Sequence, residues 1–288
     1  MLIVGCGDVG LRVARGLRQR VGLLALTSSP DRVAALRAAG VTPLRGDLDS
    51  PATLSRLASL ATRVLHLAPP SGEGGALWWR DLRTAALLRA LAQRSPPRVL
   101  VYGSTSGVYG DCGGEKVAEW RPLRPRTPRA QRRADAERSI RHFGRIARVR
   151  TSILRIPGIY APDREGGTPR ERLLKGTPVL QASDDVYTNH IHADDLARAL
   201  IAALWRGRPQ RAYNVNDDSA LKMGDYFDLA ADLYRLPRPP RVPRGTAQDQ
   251  LPLMLLTFMD ESRQLDNQRL KKELRLALAY PTVAEGLR

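Results

Sequence analysis

Short apolar runs alternate with amphipathic stretches through the first half of the chain. Residues 1–4 form the first run, and 11–20 follow with Val13, Ala14 and Leu17 on the face begun by Val9. A short apolar run bounded by glycine reads as a buried strand. Apolar positions three and four apart read as a helix. The rhythm continues with strands predicted over 23–26, 41–44, 64–68, 98–102 and 151–156. Helices fall between them. One is capped by Ser29-Pro30 and stopped at Gly40, one starts at Asp49 or Ser50 with Pro51, and two more cover 78–93 and 130–142. Segments 69–75 and 103–128 read as loops. The second is long, polar and rich in Gly and Pro, and a loop of that length in a compact domain usually has a function. Strand–helix alternation at this spacing predicts an α/β protein with a parallel, doubly wound (Rossmann) sheet.

Past Pro157 the rhythm changes. A loop at 162–169, a short helix at 170–175, an extended piece at 186–191 and a strong amphipathic helix at 194–205 come first. A strand at 212–215, a helix at 223–234, a connector with four prolines at 236–245 and two or three short helices complete the chain. The expected division is a dinucleotide-binding part, 1–157, and a smaller α+β substrate part, 158–288, with 188–216 rejoining the first sheet.

Composition narrows the classes. The chain has 288 residues, 43% of them hydrophobic, enough for a real core. No stretch approaches the roughly 20 apolar residues of a membrane span, and a strand opens the chain where a leader would need a basic, then apolar, segment. The two cysteines, Cys6 and Cys112, are too few for a disulfide framework. A cytoplasmic setting is the expectation. The net charge of +17 raises nucleic acid as a partner, but only five of 46 cations are Lys, aromatics are 5%, and the Arg residues are scattered. That disfavours nucleic acid and favours a surface that draws in anionic cofactors or substrates.

The chemistry concentrates in Gly5-Cys6-Gly7-Asp8-Val9-Gly10, a G-x-G-x-x-G set between a strand and a helix. In that context Gly5 makes the tight turn, Gly7 lets backbone approach a pyrophosphate, and Gly10 lets the helix pack on the sheet. Asp8 and Val9 would present helix N–H groups to the phosphates. NAD binders usually carry an acid about 20 residues further on, for the ribose 2′-OH. Here the second strand ends in Thr27-Ser28-Ser29 with Arg32 beyond, a set better suited to a 2′-phosphate, so NADP is favoured over NAD.

Four segments together resemble the extended short-chain dehydrogenase/reductases, the NAD-dependent epimerase/dehydratase family. They are Gly5–Gly10, the Gly103-Ser104-Thr105-Ser106-Gly107-Val108-Tyr109-Gly110 run, Leu154-Arg155-Ile156-Pro157-Gly158-Ile159-Tyr160-Ala161-Pro162, and His190-Ile191-His192-Ala193-Asp194-Asp195. The ending Glu261-Ser262-Arg263 with Asn267-Gln268-Arg269-Leu270 is similar to an uncharacterised bacterial subgroup. The resemblance implies a small-molecule substrate, in many members a nucleotide sugar, and a homodimer made through the 78–93 and 130–142 helices. It also implies cofactor contacts at Asp47, Leu48, Ala68, Pro69, Pro70, Ile156 and Pro157. The family's catalytic hydroxyl falls on Thr105, with Ser104 and Ser106 as alternates. Its Tyr-x-x-x-Lys pair falls on Arg129 and Arg133, and no Tyr of this chain is followed four residues later by Lys. A phenol can be tuned to act as acid or base, whereas a guanidinium stays protonated. Arg129 could therefore steady an oxyanion and Arg133 hold ribose or phosphate, but neither is a base. Tyr109 and Tyr160 are candidates for the missing phenol or for substrate contact, and Asn189 is a further substrate candidate.

Other readings are weighed by their chemistry. His190, His192, Asp194 and Asp195 do not make a metal set, because no third cluster has ligand spacing. Asp194 fits better as a helix cap or as a partner of the helix dipole. Cys6 fits better as a small residue packed in the glycine loop than as an activated thiol. Seven Arg (121, 124, 126, 129, 132, 133 and 138) either form a solvated face or clamp phosphates. The leading reading is an NAD(P)-dependent oxidoreductase or epimerase with Arg129 and Arg133 in place of the usual pair. The alternative is a non-catalytic NAD(P)-binding redox sensor or regulator.

Overall fold

A computed structural model describes residues 1–72, 76–251 and 253–288. The last residues of the predicted 69–75 loop lie outside that set. Seven parallel strands form the central sheet: β1 Leu2–Val4, β2 Leu24–Thr27, β3 Thr42–Arg45, β4 Arg63–His66, β5 Val99–Thr105, β6 Arg150–Ile156 and β7 Arg211–Asn214, in the order β7-β6-β5-β4-β1-β2-β3. The order reverses between β1 and β4, so the sheet is a doubly wound Rossmann sheet with its crevice at the C-terminal ends of those strands. Strands at its centre read as unbroken apolar runs because both faces are covered. One apolar cluster joins the sheet to α1 (Asp8–Leu17) and the helix Ala193–Arg206. The other joins it to α3 (Leu82–Ala92) and α4 (Pro128–Ile146). The strand Arg211–Asn214 pairs with β6 from Ser152 to Arg155, and so extends the first sheet.

Much of the remaining chain packs as a smaller apolar cluster around Tyr160, Tyr226 and Phe227, whereas Leu270, Leu274 and Leu276 join the cluster of α1 and the helix Ala193–Arg206. Short two-strand pairs tie it to the sheet's C-terminal edge. His190–His192 lies beside Gly158–Tyr160, and Gln264–Leu265 beside Lys116–Val117. Among the described residues, Arg244–Gln250, Leu253–Met259, Gln268–Leu274 and Val283–Gly286 are the closing helices, one more than the upper figure expected. No described helix is long and apolar enough to cross a membrane.

Several elements depart from the sequence reading: the helix expected from Pro51 is a 3-10 helix over Pro51–Leu57, and the expected 103–128 loop holds a 3-10 turn at Ser106–Tyr109 and the strand Lys116–Val117. The helix expected over 78–93 starts only at Leu82. The buried Asp81 carboxylate caps it, accepting from Thr84 N at 3.1 Å and Thr84 Oγ1 at 2.8 Å, and the residues before it form turns. α4 begins earlier than expected, at Pro128, because Thr127 accepts from Ala130 N at 3.2 Å and proline suits the first helical position. Asp194 does not cap its helix, although it sits in the first turn, where its charge suits the positive end of the dipole. His192 is the cap, its Nδ1 accepting from Asp194 N at 3.2 Å, while the Asp194 carboxylate pairs with Arg12.

Candidate functional site

The glycine loop follows β1 directly. Gly5 has φ +87°, and a Cβ there would lie 2.3 Å from Ala68 N, so only glycine fits. A Cβ on Gly10 would meet Gly5 O at 3.2 Å, which reflects the close approach of α1 to the sheet. A Cβ on Gly7 would meet nothing within 4 Å, because that side faces open space. Gly7 heads α1, and no side chain caps this end, so the first-turn N–H groups are left for an anion.

This open side is one wall of a cavity of about 350 Å³. Gly5, Gly7, Thr27, Ser28, Ser29, Arg32, Asp47, Leu48, Ala68 and Pro69 line it. Asp8, Val9, Gly10, Pro70, Ile156 and Pro157 do not; Asp8 instead pairs with Arg12 and Arg164. Arg32 reaches from α2 (Arg32–Ala38) to donate to Cys6 O at 2.8 Å, which sets its guanidinium beside the glycine loop. The tip of β2 carries hydroxyls and no acid, and Asp31 is not a wall. Burial raises the Cys6 thiol pKa, with Arg32 opposing it, so the thiol stays protonated and packs as a small residue. Arg83 lines the cavity too, and the sequence reading missed it. Its guanidinium pairs with Asp49 and donates to Pro69 O at 3.2 Å, bridging the loops after β3 and β4. Nothing local to Leu82–Ala92 signals this, because both partners are distant in sequence.

The second group lies at the end of β5. Thr105 is half-buried, and its Oγ1 accepts from Gly107 N at 3.3 Å. Ser104 and Ser106 are buried, and the Ser104 hydroxyl donates to Glu137 Oε1 at 2.7 Å, so Ser104 is committed to the interior. Arg133 is buried, and its Nη1 donates to Gly103 O at 2.7 Å and Tyr102 Oη at 3.0 Å, with Ala68 O at 3.5 Å. Its charge therefore sits where the loops after β4 and β5 meet. Arg129, one turn earlier, is exposed as a residue and forms no hydrogen bond or ion pair to any described residue. Partial desolvation and the Arg133 charge draw its pKa down.

The two candidate phenols face inward. Tyr109 is 1% exposed, donates to Asn214 Oδ1 at 2.7 Å and accepts from Arg155 at 2.7 Å, and burial pushes its pKa up to about 12. Tyr160 donates to Thr282 O at 3.3 Å, and burial with neighbouring Asp217 raises its pKa further. Packing describes both better than proton transfer. Asn189 is likewise spent, donating to Arg263 O at 2.9 Å and accepting from Leu265 N at 2.8 Å. Among the described residues, no group of three or more His, Cys, Asp or Glu is arranged to hold a metal.

Behind Thr105 lies a buried network that the sequence reading did not single out. Arg155 donates to Glu137 through Nε (3.1 Å) and Nη2 (2.9 Å), and to Glu119 O at 3.0 Å. A charged residue inside the apolar run of β6 was the available signal.

A doubly wound sheet with a glycine-rich loop at the head of its first helix defines a dinucleotide-binding α/β protein. The chain belongs to the NAD-dependent epimerase/dehydratase family, whose profile matches residues 1–216. It is 24% identical to the human dTDP-D-glucose 4,6-dehydratase over 158 residues, 52% of this chain but only 43% of that protein. Among solved structures it is similar to a conserved protein of unknown function from Silicibacter pomeroyi (30% identity, TM-score 0.79, 99% of this chain and 95% of the other). It shares its fold with the Thermotoga maritima UDP-glucose 4-epimerase (18%, TM-score 0.80, 99% and 95%) and the Thermus thermophilus UDP-glucose 4-epimerase (23%, TM-score 0.77, 100% and 96%).

Proposed function

We propose that the chain is an NAD(P)-dependent oxidoreductase of the epimerase/dehydratase type, acting on a small-molecule substrate, with NADP favoured over NAD. The observation that carries this is the cavity at the sheet crevice, with the open side of Gly7 at one wall and the hydroxyls of Thr27–Ser29 with Arg32 at the other. The residues fit a dinucleotide: helix N–H groups for the pyrophosphate, hydroxyls and a cation for a 2′-phosphate, and Leu48 against the base. The fold neighbours support the reading, since one is described in complex with NAD and another with UDP-glucose. A bound nicotinamide supplies hydride acceptance or donation. The chain's own residues do the rest: Thr105 hydrogen-bonds the reacting oxygen, Arg129 steadies negative charge on it, and Arg133 fixes the ribose side of the cleft. In this reading the protein works in the cytoplasm, and α3 and α4 are the faces through which it would dimerise.

The sensor alternative has an observation in its favour: the phenols of Tyr109 and Tyr160 are both buried and engaged, which leaves Arg129 with no acid–base partner nearby. Titration with NADPH and NADH by nicotinamide fluorescence, followed by turnover assays with nucleotide sugars, separates the two. Tight binding with turnover supports the enzyme, and tight binding without turnover supports the sensor. No binding of either cofactor refutes both. If Arg133→Ala left NADPH affinity unchanged, the role given to Arg133 would be wrong.

A further inference from the structure

Strand–helix alternation in a parallel sheet puts the helix C-termini and the strand starts on one edge. Six turns lie there: 18–23, 37–42, 58–63, 93–98, 145–150 and 206–211. Together they carry twelve Arg and no Asp or Glu, although the chain has 29 acidic residues. The arginines are scattered along the sequence, but the fold gathers these twelve on one edge. The glycine loop and its cavity lie at the opposite edge.

Helix C-termini favour nearby cations, and five of the twelve have such a role or an acidic partner. Arg63 and Arg150 donate to Leu204 O at 3.4 and 3.0 Å, Arg206 donates to Leu274 O at 3.0 Å, and Arg208 and Arg211 pair with Glu273. The other seven, Arg20, Arg94, Arg98, Arg145 and Arg148 among them, are exposed, and their side chains make no hydrogen bond or ion pair with any described residue. The face they stand on is level. Strand starts are in register, with Arg63 opposite Val99 and Val99 opposite Arg150. The turns are tight, with Gln19, Ser59, Arg148 and Gln210 in left-handed backbone. They are also tied to one another: Ser95 N donates to Ser59 Oγ at 3.0 Å, and Arg150 N to Arg98 O at 3.1 Å. Three large apolar side chains are exposed on or beside these turns, Leu60 at 40%, Ile146 at 67% and Trp205 at 38%.

We propose that this face docks the protein on an anionic lipid bilayer, with the free guanidiniums over the lipid phosphates and Leu60, Ile146 and Trp205 at the headgroup–acyl boundary. Charge selects an anionic partner: like charges crowded without counter-charges repel, and a negative surface relieves that repulsion. Breadth selects a surface over a small anion, because the seven free arginines are spread over the turns that lead into β2, β3, β5 and β6. The apolar side chains select lipid over a polynucleotide, because a bilayer offers apolar depth beneath its phosphates. Docked this way, the protein turns the cavity at its far edge toward water. The inference does not depend on the oxidoreductase reading.

Flotation of the full chain with vesicles measures the partitioning. The vesicles are phosphatidylcholine alone or an equal mixture with phosphatidylglycerol, each at low and at high salt. The expected result is binding to the mixed vesicles only, lost at high salt. A basic residue near an anionic surface contributes roughly fivefold, so Arg94→Gln, Arg98→Gln and Arg148→Gln together should weaken binding roughly a hundredfold with Tm unchanged. Removing the same charge from the smaller cluster, through Arg170→Gln, Lys175→Gln and Arg235→Gln, should weaken it by less than about threefold. Brominated phosphatidylglycerol should quench Trp emission, with the quenching lost in Trp205→Phe and kept in Trp78→Phe, a readout that stands even if a triple variant fails to fold. No flotation with the mixed vesicles at low salt would overturn the proposal. So would equal losses in the two triple variants, or quenching that survives Trp205→Phe. Duplex DNA or single-stranded RNA that binds more tightly than the mixed vesicles, and is lost in the same Arg94, Arg98 and Arg148 variant, would give the face to a polynucleotide and overturn it too.

Discussion

Glu137 is the residue whose removal most directly tests how the site is held. Its fully buried carboxylate accepts from Ser104 on β5, from Arg155 on β6 twice, and from Arg141 on its own helix at 3.2 Å. It sits one turn after Arg133, so it fixes α4 against the strand end that carries Thr105. Glu137→Leu would strand the Arg155 guanidinium, whose side chain is 2% exposed. Breaking a buried ion pair costs about 3–5 kcal/mol, mostly for the charge left behind. For 288 residues the unfolding entropy is about 0.6 kcal/mol/K, so Tm should fall by about 5–8 °C. Adding Arg155→Met removes the stranded charge, although Tyr109 and the Glu119 carbonyl then lose a donor. The double variant should therefore cost clearly less than the two single changes together. Scanning calorimetry on the four proteins of the cycle measures this. If the two losses add within about 0.5 kcal/mol, as independent sites do, the pair is not coupled and the reasoning is refuted.

Arg32→Ala should weaken NADPH binding by about 10- to 100-fold, the worth of one charge-assisted hydrogen bond, and leave NADH nearly unaffected; equal losses in fluorescence titration would remove Arg32 from the 2′-phosphate site. Gly5→Ala should destabilise by more than the roughly 1–2 kcal/mol of a left-handed backbone, since its Cβ also meets Ala68 N, whereas Gly7→Ala should keep Tm and lose cofactor affinity. A Gly7→Ala protein that bound NADPH normally would show that the pyrophosphate lies elsewhere. Burial raises the pKa of Asp217 from 3.8 to about 8. The unfolded chain therefore ionises first as pH rises. Stability from this group is complete below pH 3.8, falls as pH rises toward about 8, and Asp217→Asn should flatten that slope in urea titrations taken at several pH values. Finally, a site with guanidinium at 129 has no phenol to titrate. Any turnover should lack the alkaline limb of a Tyr-dependent profile, and Arg129→Tyr with Arg133→Lys should introduce one.

The sheet was legible because its strands are covered on both faces and show as apolar runs, and β1 and β5 stand out for that reason. The glycine loop was legible because turn, approach and packing each require glycine at a defined spacing. What escaped depends on partners far away in the chain. Asp81 looked like the interior of a helix until its carboxylate was seen taking Thr84 N and Oγ1 and setting the helix start. His192 is not an expected cap, yet its imidazole performs that role once Arg12 has taken the Asp194 carboxylate. Ser104 and Asn189 have the chemistry of site residues. Only their partners, Glu137 for one and the 263–265 backbone for the other, show that their polar atoms are already engaged.

The arginine excess has a consistent internal use. Arginine keeps its charge when desolvated and offers five donors in a fixed fork, whereas buried lysine tends to lose its proton. Arg12, almost fully buried, gathers Asp8, Asp163 and Asp194, and so joins the glycine-loop helix to the 162–169 loop and to Ala193–Arg206. Arg32 joins α2 to the glycine loop, Arg133 joins the ends of β4 and β5, and Arg155 joins β6 to α4. Each therefore fastens elements at the C-terminal edge of the sheet, where the strands alone leave loops unsupported. Against that background Arg129 is the exception. It shares the same edge and the same helix, and no described residue takes its donors. In the reading proposed above, a guanidinium that no described residue engages is the group that meets a reactant's negative charge.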